Sequence, residues 1–515
     1  MSTFLLAELA APSTNVSVIL PELVVATAGV IVMLYDSFMP RQRAVTGAIS
    51  IVALVVAGVM LAGLWGGGAP ATSWGGMIAN DNLRLSFSFV FLLVSLITVL
   101  VSTVWVEREN VPIGEYHALL LFATFGMMMM SAGNDLVVIF LGLETSSIAT
   151  YVMAGMRRYD LKSNESSMKY FILGSFASAF LLYGMALTYG ATGSTNLTII
   201  ASKMGAPNFP GLILIGGAMM IVGFGFKVAL APFHVWTPDV YEGAPTPITG
   251  FMAAGPKASA LAAFLRVFVL GFPLAAGSVA SGYLHDSWIS AISVIAMITI
   301  IFGNVAATMQ NNVKRMLAYS SIAHAGYAMV GFIGAGLAKD AATRDAAIAS
   351  VAFYMVTYAF TNLGAFAIVA LLSQKNDRRA DFEDYNGIGF KAPVLSFSLS
   401  LFMLSLLGLP LTAGFMGKVL VFGPALAANN SLVTLLVVVA VIGSAISAYY
   451  YLRLIVVMFF KDRVSDWHAP HIPAGLAMAL LITVLGVLYF GIFASNTIDK
   501  FSRQPENSAV ASVGK

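Results

Sequence analysis

Apolar stretches of about 20 residues, separated by short polar segments, recur along this sequence. A helix rises 1.5 Å per residue and needs about 20 apolar residues to cross the hydrocarbon core of a bilayer. About fourteen stretches fit this requirement, and they begin near residues 18, 44, 85, 116, 135, 166, 211, 243, 287, 313, 346, 393, 431 and 472. The pattern therefore predicts an all-α, polytopic membrane protein with about 14 transmembrane helices.

The composition argues against other classes of protein. Hydrophobic residues make up 59% of the 515 residues and charged residues only 10%, whereas a soluble domain carries about 25% charged residues. The longest polar stretches, such as residues 373–391, are about 20 residues long and too short for a soluble domain. The net charge of +3 gives no sign of nucleic-acid binding, so the lipid bilayer is the expected environment.

The sequence offers few ligands for a redox group. It has no cysteine, and an iron–sulfur cluster is held mainly by cysteine thiolates. Of six histidines, only His234 and His324 lie in or beside apolar stretches, and these stretches differ, which does not favour the paired ligands of a membrane haem. The Gly417-Lys418 pair lacks the earlier glycine of a phosphate-binding loop. We expect no cofactor or metal on this chain.

Basic residues predict the orientation, because cytoplasmic loops of membrane proteins are enriched in Lys and Arg. With the amino terminus outside, the cytoplasmic loops hold fourteen basic residues and the outer loops hold four. The fourteen are Arg41, Arg43, Arg108, Arg157, Arg158, Lys162, Lys314, Arg315, Lys375, Arg378, Arg379, Lys391, Lys461 and Arg463; the four are Arg84, Lys203, Lys339 and Arg344. We expect both termini on the outer, periplasmic side of an inner or equivalent energy-transducing membrane, although the tail carries Lys500, Arg503 and Lys515 on that side.

The remaining six basic residues lie within or at the edge of apolar stretches: Lys169, Lys227, Lys257, Arg266, Lys418 and Arg453. Glu144 is the clearest acidic equivalent, roughly 14 Å into its stretch at 1.5 Å per residue. A charge at the bilayer centre costs about 2.5–3.5 kcal/mol on insertion scales. Snorkelling or structural ion pairs explain Lys169, Arg266 and Arg453 best, because they lie nearer the ends. The other three lysines lie too deep for snorkelling, which favours a functional role.

Helix-breaking residues accompany each of these three lysines. Pro232 follows Lys227, Gly255 and Pro256 precede Lys257, and Gly408 and Pro410 precede Lys418. Proline removes a backbone donor and kinks or opens a helix, and broken helices at the membrane midplane are typical of ion paths. One such break is common as a packing kink, but three, each beside a lysine, predict broken helices at an ion path.

A buried lysine beside a carboxylate can act as a proton switch. Burial disfavours the charged form of lysine, and a nearby carboxylate favours it. Lys227 would hold its proton while Glu144 is close and release it when the two groups separate. Ser320 and His324 lie four residues apart on one predicted helix face, and His324 is a possible relay, although a single histidine of this kind is more often a hydrogen-bonded core residue.

The stretch from Phe226 to Pro247, FKVALAPFHVWTPDVYEGAPTP, resembles the antiporter-like subunits of respiratory complex I, in the form found in subunit N. Further similar stretches include Gly142-Leu-Glu144, Ser166-Ser-Met-Lys-Tyr170, the run from Asn312 to His324, and the run from Pro410 to Lys418. The sister subunits L and M typically read Leu-Pro-Asp-Ala-His where this sequence reads Thr-Pro-Asp-Val-Tyr. The resemblance extends in order from about residue 115 to 460.

This resemblance implies two inverted five-helix repeats with broken helices. It divides the chain into helices 1–3 (residues 1–110), a first repeat (111–275), a second repeat (285–462), and a last helix with the tail (463–515). It implies that Glu144 and Lys227 form the input pair, that Lys257 is the central relay and that Lys418 is the output site, with Glu165 and Lys169 as further polar positions. NADH, FMN, iron–sulfur clusters and quinone belong to partner subunits, and the expected partners are the antiporter-like subunits L and M, small membrane subunits and, indirectly, the peripheral arm.

Three functions follow as hypotheses. The first is a proton-translocating membrane subunit of an NADH:quinone oxidoreductase, an enzyme subunit that holds no redox centre of its own. The second is a subunit of a multi-subunit sodium/proton antiporter, which shares the glutamate–lysine pair but lacks redox coupling. The third is a membrane scaffold that transports nothing, in which the buried lysines would all be structural.

Overall fold

The structure is a computed structural model that describes residues 14–39, 43–65, 71–204, 208–272, 279–377, 379–462 and 470–502. Several basic residues used above for the orientation lie outside these ranges, namely Arg41, Arg378, Arg463, Arg503 and Lys515. Nearly all described residues are helical, because long apolar segments in a membrane must satisfy their backbone groups internally.

The helices follow one another with short connections. In the first half of the chain they are α1 (Val16–Phe38), α2 (Arg43–Trp65), α3 (Asn82–Glu109), α4 (Ile113–Ala132), α5 (Leu136–Ala154), α6 (Leu161–Thr192), α7 (Leu197–Lys203), α8 (Pro210–Val228), α9 (Thr237–Gly243) and α10 (Thr246–Leu265). In the second half they are α11 (Val279–Thr308), α12 (Val313–Gly336), α13 (Ala341–Leu372), α14 (Pro393–Leu407), α15 (Ala413–Ala427), α16 (Ser431–Phe460), α17 (Ala474–Ile492) and α18 (Ala494–Ser502).

The predicted number of membrane crossings is confirmed. Among the described residues, 13 helices are long and apolar enough to span a bilayer. The two shorter apolar helices α14 and α15 follow each other across a break and together match the predicted stretch that begins near residue 393. With this interrupted pair counted as one span, the fold has the expected fourteen, and it is an all-α polytopic membrane protein.

The loops that connect the helices contact one another in two groups, which lie at opposite ends of the helix bundle. At one end, the short antiparallel pair β1 (Thr72–Ser73) and β2 (Ile78–Ala79) meets the α4–α5 connection through an Ile78–Gly133 bridge. At the other end, which we call the basic end, the α11–α12 connection meets the α13–α14 connection through an Asn312–Asp381 bridge. Alternate loops thus lie at the same end, as the predicted crossings require, and the side of the membrane that each end faces remains a prediction.

Three helices form the centre of the bundle. Nearly every residue of α10, and most of α12 and α13, is buried within the protein, whereas α1, α2, α6 and α16 expose many large apolar side chains along their length. A membrane helix that is buried on all sides contacts other helices rather than lipid. Polar groups on α10, α12 and α13 are therefore held inside the protein.

Two of the three expected helix breaks are present. The helix α8 ends one residue after Lys227, where Ala229 takes a left-handed conformation (φ 67°). The break between α14 and α15 is formed by Gly408 and Leu411, with φ values of 94° and 71°. Both breaks free carbonyl groups inside the membrane region, which is tolerated only where protein or water satisfies them.

The third expected break, beside Lys257, is absent. Pro256 lies inside α10, which continues as an α-helix to Leu265 and then as a π-helix from Arg266 to Gly271. Proline removes one hydrogen bond but its φ suits a helix, and the dense packing around α10 keeps the backbone regular. The expectation of an open backbone at Lys257 was therefore wrong. The division into repeats at residues 111–275 and 285–462 stays a prediction.

Candidate functional site

Lys227 lies in a box of aromatic and hydroxyl groups at the last turn of α8. Its side chain is 3% exposed, and its Nζ atom donates to Ser147 Oγ on α5 at 2.7 Å. The rings of Tyr151 and Tyr170 have their centroids 5.3 and 5.2 Å from Nζ, a distance at which an aromatic face attracts a cation. The charge therefore meets neutral oxygen and π-electron density.

Glu144 lies one helical turn before Ser147 on α5 and is half-buried. Its Oε1 atom is buried and makes no hydrogen bond to any described residue. The expected pair of Glu144 and Lys227 is not in direct contact among the described residues, and Ser147 is the group that Lys227 bonds instead. Ser147 was missed in the sequence, where a serine three residues after a glutamate carries no distinctive signal.

Lys257 lies near the middle of α10 and is 2% exposed. Its Nζ atom donates to Ser321 Oγ on α12, and it lies 5.4 Å from the centroid of the Tyr241 ring. Between Lys227 and Lys257 lies a row of rings, because Tyr170 stacks on Trp236 at 4.4 Å and Trp236 meets Tyr241 edge-on at 5.8 Å. This aromatic row was not foreseen from the sequence.

Lys418 lies on α15 and turns back towards the break. Its Nζ atom donates to the carbonyl oxygens of Leu406 (3.1 Å) and Leu407 (2.8 Å) in the last turn of α14. The last carbonyls of a helix lack intrahelical partners and carry partial negative charge. The Tyr327 ring lies 4.9 Å from the same Nζ atom. The end of a half-helix thus takes the place of a carboxylate.

His324 occupies the space between the Lys257 and Lys418 sites. Its Nδ1 atom lies 2.6 Å from Tyr354 Oη, and its Nε2 atom lies 3.2 Å from Tyr451 Oη. Ser321, His324 and Tyr327 are spaced three residues apart along α12, so they share one face of the helix. The first bonds Lys257 and the last faces Lys418, so α12 carries a polar file from one lysine to the other.

Glu165 and Lys169 lie elsewhere, at the basic end of α6. Their side chains are 61% and 40% exposed and form an ion pair of 2.7 Å. Lys169 also pairs with Asp239 at 2.6 Å, and Asp239 pairs with Arg315 at 2.8 Å. Burial raises the pKa of Asp239, but Lys169 and Arg315 outweigh this and hold it below its usual value. These residues form an ionic cluster apart from the buried lysines.

Arg266 and Arg453 make contacts that hold the fold together, which agrees with the expectation that their role is structural rather than functional. Arg266 donates two hydrogen bonds of 2.7 Å to the carboxylate of Asp81, and Arg453 donates to the Gln310 carbonyl and the Asn311 side chain. Arg84 was counted among the loop residues but lies buried in α3, paired with Glu22 at 2.8 Å. This ion pair could not be predicted from local sequence, because its members lie 62 residues apart in the chain.

The three deep lysines differ from the other buried basic residues in one respect. Lys314, Arg84 and Arg266 each have a carboxylate partner, whereas no described carboxylate forms an ion pair with Lys227, Lys257 or Lys418. A buried charge without an opposite charge is costly, so these three ammonium groups depend on hydroxyl groups, carbonyl groups and aromatic rings for their stabilisation. No cluster of three metal-ligating side chains occurs among the described residues.

Comparison with known proteins places these features in context. Residues 133–447 match the model of a family described as NADH:quinone oxidoreductase/Mrp antiporter, transmembrane region. The chain is 42% identical to NADH-quinone oxidoreductase subunit N of Trichlorobacter lovleyi, over 95% of this chain and 96% of that protein.

Solved structures of respiratory complex I and of an Mrp complex also contain chains similar to this one. A chain in respiratory complex I from Thermus thermophilus with bound aureothin is 34% identical, with a TM-score of 0.76 over 93% of this chain and 98% of that one. A chain of the Mrp complex from Dietzia superposes with a TM-score of 0.79 over 95% and 97%, but at 18% identity this likeness concerns the fold alone.

Proposed function

The chain belongs to the family of NADH-quinone oxidoreductase N subunits, the antiporter-like subunits of the complex I membrane arm, and we propose that it carries protons across the membrane as part of that redox-driven pump. Other membrane subunits of the complex are its partners. The NADH, FMN, iron–sulfur and quinone chemistry takes place on partner subunits, and the basic end faces the cytoplasm.

One observation carries this proposal: three ammonium groups are buried inside the bundle and meet hydroxyl groups, carbonyl groups and aromatic rings rather than a described carboxylate. A group that must gain and release a proton needs a site where neither state is locked in place. A direct ion pair of the kind seen at Lys314 would hold the charged state. Neutral oxygen atoms solvate both states.

The order of the sites suggests the direction of transfer. Glu144 and Lys227 act at the input, Lys257 relays, and Lys418 releases the proton at the outer side. Movement of Glu144 relative to Ser147 and Lys227 changes the proton affinity of the lysine, since a carboxylate favours the charged form. His324 joins the Lys257 and Lys418 sites through Tyr354, Tyr451 and the shared face of α12.

The test is to replace each lysine with methionine in the intact complex. In inside-out membrane vesicles, Lys227→Met, Lys257→Met and Lys418→Met should each lower proton uptake per NADH oxidised, while Lys391→Met, which changes an exposed loop lysine, should not. The content of assembled complex is measured in the same membranes. Unchanged proton uptake per NADH in all three buried-lysine variants would contradict the proposal and favour a scaffold.

The sodium/proton antiporter is the remaining alternative, because the Mrp complex shares the fold. Purification of the chain with its partners separates the two. A complex with flavin and iron–sulfur clusters that reduces quinone with NADH supports the proposal. A complex without redox centres that exchanges sodium for protons would support the alternative.

A further inference from the structure

The Tyr327 ring is the aromatic neighbour of Lys418, and its hydroxyl group bonds a side chain on a different helix. The ring centroid lies 4.9 Å from Lys418 Nζ, whereas Tyr327 Oη accepts a hydrogen bond of 2.9 Å from Nδ2 of Asn304. Asn304 lies near the basic end of α11 and is fully buried. Tyr327 therefore presents its ring to Lys418 and its oxygen atom to an asparagine that the proposed function does not use.

The hydrogen bonds of Asn304 fix the orientation of its amide group. Its Nδ2 atom donates to the backbone carbonyl of Ile300 at 2.8 Å, and a carbonyl oxygen can only accept a hydrogen bond. Its Oδ1 atom accepts a hydrogen bond of 3.0 Å from Tyr450 Oη on α16. The second hydrogen atom on Nδ2 is then the one directed at Tyr327. Asn304 is thus the donor in this bond, and the tyrosine oxygen is the acceptor.

The helix α16 approaches this hydrogen bond at a glycine. A Cβ atom on Gly443 would lie 2.9 Å from Asn304 Nδ2 and 3.1 Å from Tyr327 Oη, both closer than the 3.5–4.0 Å or so that is optimal between non-bonded carbon atoms. A side chain at residue 443 would therefore displace one of the two bonded groups. The bond between Asn304 and Tyr327 lies where α11, α12 and α16 meet, and it depends on a residue without a side chain.

Asparagine in a membrane helix often serves to hold helices together. The pair of α11 and α12 does not need an amide group for this, since glycine brings the two helices into close contact. A Cβ atom on Gly303 would lie 2.6 Å from the Ala323 nitrogen, and one on Gly326 would lie 2.6 Å from a side-chain atom of Ile300. What the amide group adds is a fixed position for the tyrosine.

The orientation of the Tyr327 ring decides what Lys418 meets. The face of an aromatic ring carries negative charge density and its edge positive, so an ammonium group is attracted by the face. The rings of His324 and Phe422 pack against the Tyr327 ring at interplanar angles of 87° and 68°. These two rings restrict the middle of the side chain, and Asn304 holds its far end at Oη. A hydrogen bond at that end therefore controls the direction of the whole ring.

We infer that Asn304 is a positioning residue for proton transfer at Lys418, because it holds the Tyr327 ring where the ring face stabilises the ammonium group. This inference rests on the proposed function and deepens it, since it names a residue that sets the environment of the output site. Asn304 makes no hydrogen bond to Lys418 within the described residues and acts through the tyrosine. Without the amide donor, the ring is free to turn, and the attraction between the ring and the charged lysine changes.

A double-mutant cycle in the intact complex tests this inference. Asn304→Leu removes the donor at nearly constant volume, Tyr327→Phe removes the acceptor oxygen and keeps the ring, and a third variant combines the two. The initial rate of proton uptake by inside-out vesicles is measured at saturating NADH and divided by the content of assembled complex. Ser293→Ala, which also removes a fully buried polar group from α11, is the control.

We expect Asn304→Leu and Tyr327→Phe each to lower the rate about fivefold, which is the effect of one hydrogen bond on a rate, and Ser293→Ala to leave it unchanged. In the Tyr327→Phe background, Asn304→Leu should have little further effect, because the oxygen atom that it bonds is already absent. A purely structural role for Asn304 would instead lower the rate by the same factor in both backgrounds, and that result would overturn the inference.

The lysine variants separate this inference from the proposed function. Parental rates in Asn304→Leu and Tyr327→Phe, together with a loss of proton uptake in Lys418→Met, would overturn the inference and leave the proposed function intact. Unchanged uptake in all three buried-lysine variants would contradict the proposed function, and the inference with it. If Asn304→Leu prevents assembly, Tyr327→Phe decides by itself, because it breaks the same hydrogen bond by the loss of one oxygen atom. A lower rate then supports the inference, and a parental rate overturns it.

Discussion

Lys418 Nζ lies 2.8 Å from the carbonyl oxygen of Leu407, in the last turn of the half-helix α14. The carboxyl end of a helix carries about half a negative elementary charge. The break between α14 and α15 therefore supplies the counter-charge for this lysine from backbone atoms. The proton affinity of Lys418 then depends on the geometry of the break, which residues 408–412 determine.

Gly408→Ala should impair proton transfer at Lys418. Gly408 has a φ of 94°, and a Cβ atom there would lie 3.3 Å from Lys418 Cδ and 3.4 Å from Nζ. A left-handed conformation costs an L-residue about 1–2 kcal/mol, so the alanine is expected to shift the break and the lysine together. Proton uptake per NADH oxidised in vesicles should fall. Gly423→Ala, with no atom within 4 Å, is the control, and equal proton uptake in both variants would contradict the role of the break.

Ser147→Ala should weaken the input site without removing a charge. The Ser147 hydroxyl accepts the hydrogen bond of Lys227 at 2.7 Å, and hydrogen bonds to charged groups contribute about 1.5–3 kcal/mol. We expect about a tenfold loss in proton-transfer rate at this site. Proton uptake is compared with that of Ser147→Thr, which keeps the hydroxyl group. A rate equal to the parent in Ser147→Ala would show that Ser147 does not support Lys227.

Gly142→Ala should displace Glu144. The helices α4 and α5 pack closely at Gly126 and Gly142, and a Cβ atom on Gly142 would lie 2.8 Å from the Gly126 carbonyl oxygen and 2.9 Å from the Met130 nitrogen. Overpacking of this kind costs about 1–3 kcal/mol. We expect a lower melting temperature of the solubilised complex and lower proton uptake. Gly190→Ala, where nothing lies within 4 Å, should leave both unchanged; a similar drop in both variants would indicate a general effect of glycine replacement.

The Glu22–Arg84 pair should stabilise the fold without taking part in transport. Both side chains are fully buried, and removal of one partner of a buried ion pair costs about 3–5 kcal/mol. Arg84→Met should lower the stability of the subunit more than the double replacement Arg84→Met with Glu22→Met, because the single variant leaves a carboxylate buried alone. Thermal unfolding of the solubilised protein measures both. A double variant less stable than the single one would contradict this account.

Asp377 should make stability depend on pH in the acid range. Burial raises the pKa of Asp377, but the charges of Lys314 and Arg157 outweigh it and lower the pKa from 3.8 to about 2. Because the folded pKa is lower than the unfolded one, the stabilisation is present above pH 3.8 and is lost as the pH falls towards 2. It amounts to about 2 kcal/mol.

The measurement is the melting temperature of the solubilised protein from pH 6 down to pH 2.5. Asp377→Asn should lower it at pH 6 and reduce its decline below pH 4 relative to the parent. An identical decline in both proteins would show that other carboxylates account for the acid sensitivity.

The sequence determined the parts of this protein that depend on local pattern. Apolar length fixed the fourteen crossings, because each helix must span the bilayer by itself. The breaks beside Lys227 and Lys418 followed from glycine and proline, which act on their own backbone. Lys257 is buried in a helix, as its apolar stretch predicted, but the break expected at Pro256 is absent, since packing from other helices keeps α10 regular.

Tertiary structure alone decided which groups meet. Lys227 donates a hydrogen bond to Ser147, which lies 80 residues away in the chain. Lys257 donates to Ser321 across 64 residues. Lys314 donates to Asp377 across 63 residues. Hydropathy shows how deep a side chain lies but not which helix faces it, since helix neighbours are set by packing over the whole bundle. The burial of Lys227, Lys257 and Lys418 could thus be predicted from the sequence, whereas that of Arg84 could not, and the partners of all four depend on how the helices pack.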